Sequence, residues 1–173
     1  MNEQEISGLV KAVLESMKDT GSEHASGHVC KCKQHKMTLD KANALIEKVK
    51  AKASEMGVRA VVAVADQAGR PVAVQSMDGA YIASFDIAVN KSFTSASLKM
   101  STEALSRLSQ PGQSLYGIQF TNGGKIVIFG GGEVLEAEGK MIGAIGVSGG
   151  SAEQDTELAA YGREVFKEVI SCL

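Results

Sequence analysis

The histidines and most of the cysteines of this 173-residue chain lie close together near its N-terminus. His24, His28 and His35 are all of its histidines, and Cys30 and Cys32 are two of its three cysteines. Imidazole and thiolate groups are preferred ligands of zinc and other soft or borderline metals. The pattern therefore predicts a candidate metal or haem-iron site, although Cys-x-Cys is tighter than the usual zinc spacing. The alternative is a solvated tether that merely contains these residues. The candidate ligands are His28, Cys30, Cys32 and His35.

Glycine-rich turns are the second feature with chemical potential. Gly130-Gly131-Gly132 is one run, and Ser148-Gly149-Gly150 is the other. The second run stands between a predicted strand and a predicted helix, where backbone N–H groups are available to an anion or another ligand. Turn geometry alone would also explain the glycines. Neither run has the P-loop or dinucleotide-binding pattern, which disfavours nucleotide binding by those routes.

The sequence after residue 36 contains no histidine, and its one cysteine is Cys172. This composition excludes a Ser-His-Asp or Cys-His catalytic arrangement within that region. The remaining acid–base candidates form no recognised pair, and such side chains most often lie on the surface. They are Asp66, Asp78, Asp86, Lys91, Glu133 and Asp155.

The chain divides into three predicted parts: a helix over 1–18, a flexible linker over 19–36, and a folded domain over 37–173. The helix has one apolar stripe with helical spacing. We expect this stripe to dock on a partner, while folding back on the domain or self-association are the alternatives. Its members are Ile6, Leu9, Val10, Val13, Leu14 and Met17.

The domain pattern predicts an α+β fold, with an antiparallel sheet of about five strands and flanking helices. Thr38 is the predicted N-cap of the first helix, and Asn122-Gly123-Gly124 is a predicted hairpin turn. The predicted helices are 39–56, 80–100, 101–109 and 151–170. The predicted strands are 58–66, 71–77, 118–121, 125–129, 133–137 and 141–148.

Composition narrows the classes of partner. The formal net charge is −2, aromatic residues make up 5% of the chain, and tryptophan is absent. Nucleic-acid and anionic-membrane binders favour a basic face, so neither partner is expected. The apolar runs fall short of a membrane span, and the N-terminus lacks a signal-peptide pattern, so we expect a cytoplasmic protein with reduced thiols.

Three segments of the domain carry a family resemblance. They are VVAVADQAGRPVAVQSMDGA at 61–80, AVNKSFTSAS at 88–97 and GAIGVSGGSAEQDTELA at 143–159. Together they resemble the haem-binding family of GlcG, HbpS and the C-terminal domain of PduO, over about residues 37–171. The resemblance implies a profilin- or PAS-like fold, frequent homo-oligomers, and binding of haem or a corrinoid, with haem degradation proposed for some members.

The same resemblance implies a set of cofactor-binding positions. His35, just before the domain, and Thr94 match positions involved in axial ligation in some members. Gly149 and Gly150 are implied both by the resemblance and by the turn argument above, and Ser148 is implied by the turn argument alone. The predicted cofactor-binding residues are Asp78, Lys91, Thr94, Ser148, Gly149, Gly150 and Gln154.

The N-terminal helix and linker resemble an encapsulation peptide of bacterial microcompartment cargo. The resemblance implies docking on a shell or cargo protein and a location inside a microcompartment. The sequence thus predicts a haem- or corrinoid-binding accessory protein. An enzyme acting on haem or a small metabolite in the same pocket, and an oligomeric hub for cargo assembly, are the alternatives.

Overall fold

The structure is a computed structural model that describes residues 36–172. The predicted docking helix at 1–18 and the linker up to His35 lie outside the described residues. The candidate metal ligands Cys30, Cys32 and His35 therefore also lie outside them.

The described residues form an α+β domain built on an antiparallel sheet with the strand order β2-β1-β4-β3, which confirms the predicted fold class. The helices are α1 (Leu39–Glu55), α2 (Ser84–Leu98), α3 (Thr102–Leu108) and α4 (Ala152–Cys172). The strands are β1 (Val61–Asp66), β2 (Pro71–Ser76), β3 (Gly132–Ala137) and β4 (Lys140–Ser148).

Side-chain caps begin the helices where the sequence predicts them. The Thr38 hydroxyl accepts a hydrogen bond from the Lys41 amide at the start of α1. Ser101 does the same for the Ala104 amide at the start of α3. Each hydroxyl satisfies an N–H group that has no partner within its own helix, which fixes where that helix begins.

Strand β1 is the centre of the core because both of its faces are covered. Val62 and Val64 pack in the main apolar cluster with residues of α1 and α4, including Phe166. Val61 and Ala63 face the other way and pack against Ala88 of α2. The continuous run of buried residues in β1 is therefore that of a strand enclosed between two helical layers.

Helix α2 packs closely on the sheet through small side chains. Ala88, Ser92 and Ala96 are all buried. Small side chains let the helix axis approach the strands closely, so this composition is explained by packing within the domain. The sequence left open whether the small residues serve this packing or a subunit contact.

The described sheet has four strands, one fewer than the approximate number expected, because the strands predicted at 118–121 and 125–129 are wrong. Ile118–Phe120 and Asn122–Gly124 are short 3-10 turns. The Thr94 hydroxyl accepts a hydrogen bond from the Val127 amide at 3.0 Å, so a side chain takes a backbone group that a strand partner would need. The expected strand at 133–137 is present as β3.

Candidate functional site

A cleft with a volume of about 390 Å³ lies where β4 ends and α4 begins. Tyr81, Ile87 and Phe129 give it carbon-rich walls. The turn at Ser148-Gly149-Gly150 forms its polar side. We call this space the apolar cleft; its remaining lining residues are Ala83, Ser84, Ala152 and Asp155.

A second space with a volume of about 470 Å³ adjoins the apolar cleft. Both spaces are lined by Tyr81, Gly149 and Gly150, so the glycine turn separates them. The second space has a more polar lining, and we call it the polar cavity. Its other lining residues are Gly57, Val58, Arg59, Gly79, Ser151 and Gln154.

Hydrogen bonds from neighbouring side chains fix the turn between the two spaces. The Gly150 amide donates to Oδ1 of Asp155 at 2.9 Å. Ser151 and Gln154 form a reciprocal capping box: the Ser151 amide donates to Oε1 of Gln154, and the Gln154 amide donates to the Ser151 hydroxyl. The hydroxyl oxygens of Ser148 and Ser84 lie 3.2 Å apart, which joins the end of β4 to the start of α2. The turn therefore has a fixed shape before any ligand arrives.

A buried ion pair lies directly behind the turn. Nζ of Lys91 is 2.7 Å from Oδ2 of Asp155 and donates to the Val147 carbonyl at 2.8 Å. The same ammonium lies 4.8 Å from the ring centre of Phe129, within cation–π range. Burial lowers the pKa of Lys91, and the opposite charge of Asp155 counteracts this effect. The pair ties α2, β4 and α4 together at the base of the cleft.

Gly131 allows the chain to pass over this ion pair. Its φ is +111°, a conformation that side chains disfavour. A Cβ at this position would lie 2.6 Å from Nζ of Lys91 and 2.7 Å from the Val147 carbonyl oxygen. Close packing is thus a structural reason for the glycine run at 130–132, in addition to the turn geometry that the sequence suggested.

The residues predicted from the sequence fall into two groups. Ser148, Gly149, Gly150 and Gln154 line the apolar cleft, the polar cavity or both. The other predicted cofactor-binding residues, Asp78, Lys91 and Thr94, line neither space.

Lys91 lies behind the cleft wall in the ion pair described above. Thr94 is buried further along α2. Its hydroxyl donates a hydrogen bond to the Asn90 carbonyl and accepts one from the Val127 amide. Asp78 is exposed in the turn that follows β2.

Sequence reasoning missed the apolar walls of the cleft. The sequence predicts Phe129 in a strand, whereas the residue lies in an irregular segment with 42% of its surface exposed. Tyr81 is 73% exposed and stands just before α2. The signal in the sequence was the position of these two aromatic residues close to glycines, Tyr81 after Gly79 and Phe129 before Gly130. Exposed apolar side chains that cluster often mark a binding site.

A separate polar space contains Glu133, an acid–base candidate whose carboxyl pKa is raised. Glu133 of β3 is buried, and its Oε2 accepts a hydrogen bond from Nη1 of Arg163 at 3.0 Å. Burial raises the pKa of Glu133, while Arg163 acts in the opposite direction. This space is lined by charged groups of both signs, including Glu136 and Lys167.

Among residues 36–172, no three His, Cys, Asp or Glu side chains are grouped as metal ligands. None of the helices in this part of the chain is both long and apolar enough to cross a membrane.

The domain matches a known family and several known proteins. The family described as "Haem degrading protein HbpS-like" matches residues 37–164. An uncharacterised 15.0 kDa protein from the dhaT-dhaS intergenic region of Citrobacter freundii is 44% identical over 133 residues, covering 77% of this chain and 94% of that protein. A structure described as a PduOC:heme complex is 33% identical with a TM-score of 0.71, covering 75% of this chain and 94% of that one.

A longer relative contains only one region similar to this chain. The corrinoid adenosyltransferase PduO of Citrobacter freundii is 38% identical over 108 residues. That match covers 62% of this chain but only 32% of the adenosyltransferase. The similarity thus concerns a part of that enzyme.

Proposed function

The chain belongs to the HbpS-like haem degrading protein family, and from this premise we propose that it binds a tetrapyrrole, haem or a related corrinoid, in the apolar cleft. The observation that carries the proposal is the cleft itself, which sets aromatic and aliphatic walls against a preformed polar turn. The likeness to the PduOC:heme complex supports the choice of ligand class. The proposed role is that of a binding accessory protein.

The cleft fits the shape and polarity of such a ligand. A porphyrin has a flat, largely apolar ring, and Tyr81, Ile87 and Phe129 offer carbon-rich surface to it. Small-molecule sites typically have a volume of about 300–1,000 Å³ and combine apolar walls with a few fixed polar groups. The apolar cleft and the polar cavity have both properties.

The donors around the cleft limit how iron would be held. Bound haem supplies an iron centre whose reactivity depends on its protein ligand. Within the described cleft lining, the phenolic oxygen of Tyr81 forms no hydrogen bond with another described residue, whereas the side chains of Ser84, Ser148 and Asp155 are hydrogen-bonded. We propose two alternative iron ligands: Tyr81 from the cleft, or His35 as the sequence suggested.

Spectroscopic titration tests the proposed binding. The purified full chain is titrated with haemin and, separately, with cobalamin. Saturable changes in the Soret band of haemin or in the visible bands of cobalamin are expected if the ligand enters a defined site. Absence of saturation with both ligands would contradict the proposal.

The family description favours one alternative function, degradation of the bound haem. This activity requires a reductant and oxygen in addition to the protein. Incubating the haem complex with ascorbate in air would then bleach the Soret band faster than in a free-haemin control. An unchanged Soret band would favour a binding protein over an enzyme.

We further propose that residues 1–18 deliver the domain to a bacterial microcompartment by docking on a shell or cargo protein. The support is the apolar stripe of the sequence, which would bury its side chains in a partner groove. Leu9→Glu and Val13→Glu should abolish co-localisation with shell proteins. Lys11→Glu, on the polar face, is the matched control. Equal co-localisation of all variants would contradict this role.

We propose self-association from exposed apolar side chains that are close in sequence to Tyr81 of the cleft. Ile82 is 97% exposed and Phe85 is 49% exposed. A second copy of the chain that covers them would remove this apolar surface from water. Ile82→Glu should reduce the sedimentation coefficient of the assembly. A monomeric wild-type protein would contradict self-association.

A further inference from the structure

A single unpaired cation lines the polar cavity. Arg59 is exposed and has no ion-pair or hydrogen-bond partner for its guanidinium among residues 36–172. The other arginines described, including Arg107 and Arg163, each have a carboxylate partner. A guanidinium left unpaired in a concave surface is free to bind an anionic group.

The position of Arg59 connects it to the apolar cleft. The backbone of Arg59 packs against Gly149, and its Cγ lies beside Gly79. Gly149 also lines the apolar cleft. A ligand whose flat body enters the cleft would therefore extend its edge over the glycine turn toward Arg59.

We infer that Arg59 determines ligand specificity by binding a peripheral carboxylate of the tetrapyrrole; the inference rests on the proposed binding in the apolar cleft. A guanidinium offers a planar pair of donors that matches a carboxylate. The exposed residues Asp78 and Glu153, which are adjacent in sequence to residues that line the polar cavity, form no ion pair with it among the described residues. The expected ligand class is thus a tetrapyrrole with free carboxylates, such as haem, in preference to a corrinoid whose side chains are amides.

Paired porphyrins test this assignment. The full chain is titrated with iron mesoporphyrin, which has free carboxylates, and with its dimethyl ester, which does not. Wild-type protein should bind the acid about tenfold more tightly than the ester, as expected for one charge-assisted hydrogen-bonded contact. Arg59→Gln should lose this preference, and Arg59→Lys should restore part of it.

Controls separate the inference from the proposed function on which it rests. Arg107→Gln removes an arginine outside both spaces and should keep the wild-type preference. Circular dichroism of each variant checks that the fold is unchanged. If wild-type protein binds neither porphyrin, the proposed function fails and the inference fails with it. If it binds both and Arg59→Gln keeps the wild-type preference, the inference alone is overturned.

Discussion

Nζ of Lys91 lies 2.7 Å from Oδ2 of Asp155, with both side chains buried behind the glycine turn of the apolar cleft. The other carboxylate oxygen of Asp155 accepts the Gly150 amide. One carboxylate therefore neutralises a buried cation and also holds the turn that lines both spaces. This arrangement makes the stability of the fold and the shape of the proposed site depend on the same residue.

Asp155→Ala should strongly destabilise the domain. It would leave the ammonium of Lys91 buried without its counter-charge and would free the Gly150 amide. Removing one partner of a buried pair typically costs about 3–5 kcal/mol. Urea denaturation followed by circular dichroism measures the free energy of unfolding.

Two variants make this prediction specific. Glu157 is an exposed residue of the same helix, α4. Glu157→Ala should change the free energy of unfolding by no more than about 0.5 kcal/mol. The double variant Lys91→Met, Asp155→Leu should recover part of the loss, because no charge is left buried. A loss for Asp155→Ala no larger than that for Glu157→Ala would contradict the account.

Gly131→Ala should destabilise the domain more than Gly117→Ala does. Both glycines have a positive φ, +111° and +90°, so both variants carry backbone strain. Only at Gly131 would the new methyl group meet the Lys91 ammonium and the Val147 carbonyl. We expect an additional cost of about 1–3 kcal/mol at Gly131, measured by urea denaturation. Equal losses would show that packing over the ion pair does not constrain this position.

The fold could be predicted from the sequence where local signals and burial agree. The hairpin of β1 and β2 follows from two β-rich segments on either side of a turn at Asp66, whose carboxylate accepts hydrogen bonds from the Ala68 and Arg70 amides. The strands predicted at 118–121 and 125–129 failed because Asn122-Gly123-Gly124 imitates a hairpin turn. Local sequence does not reveal that Thr94, distant along the chain, binds the backbone there instead.

The candidate site could be predicted along the glycine turn and, through the family resemblance, at Gln154. Ser148, Gly149 and Gly150 were found because a turn between a strand and a helix has a recognisable local pattern. Phe129 reaches the cleft through tertiary packing of an irregular segment. Arg59 could not be singled out from the sequence, because the absence of an ion-pair partner among the described residues is seen only in the structure.

The stability difference between Glu133→Gln and wild type should depend on pH. Burial raises the pKa of Glu133 above its ordinary value of 4.5, so the folded state holds this proton more tightly than the unfolded state. The stabilising contribution of the protonated group is present below pH 4.5 and is lost as the pH rises through the folded-state pKa. A glutamine does not titrate.

Thermal unfolding of both proteins, measured from about pH 4 upward, tests this effect. The stability of Glu133→Gln relative to wild type should increase with rising pH. The lost contact with Arg163 lowers the variant's stability without removing that trend. A relative stability that stays constant or falls with rising pH would contradict the raised pKa.

The proposed iron ligands predict different spectra. If His35 binds the iron, His35→Ala should shift the Soret band of the haem complex and Tyr81→Phe should not. If Tyr81 binds it, the opposite result is expected, because phenolate and imidazole ligands differ in their electronic effect on haem. Absorption spectra of ferric complexes decide between them. Unchanged spectra in both variants would exclude both ligands.

Occupation of the apolar cleft by haem is the central claim, and blocking the cleft tests it most directly. Ala83 lines the cleft and is exposed, so Ala83→Trp should fill the space without disturbing the core. Ala51→Trp, on the exposed side of α1, is the matched control. Haemin titration should show saturable binding for wild type and Ala51→Trp, and affinity at least about tenfold weaker for Ala83→Trp. Equal affinity of all three proteins would contradict binding in this cleft.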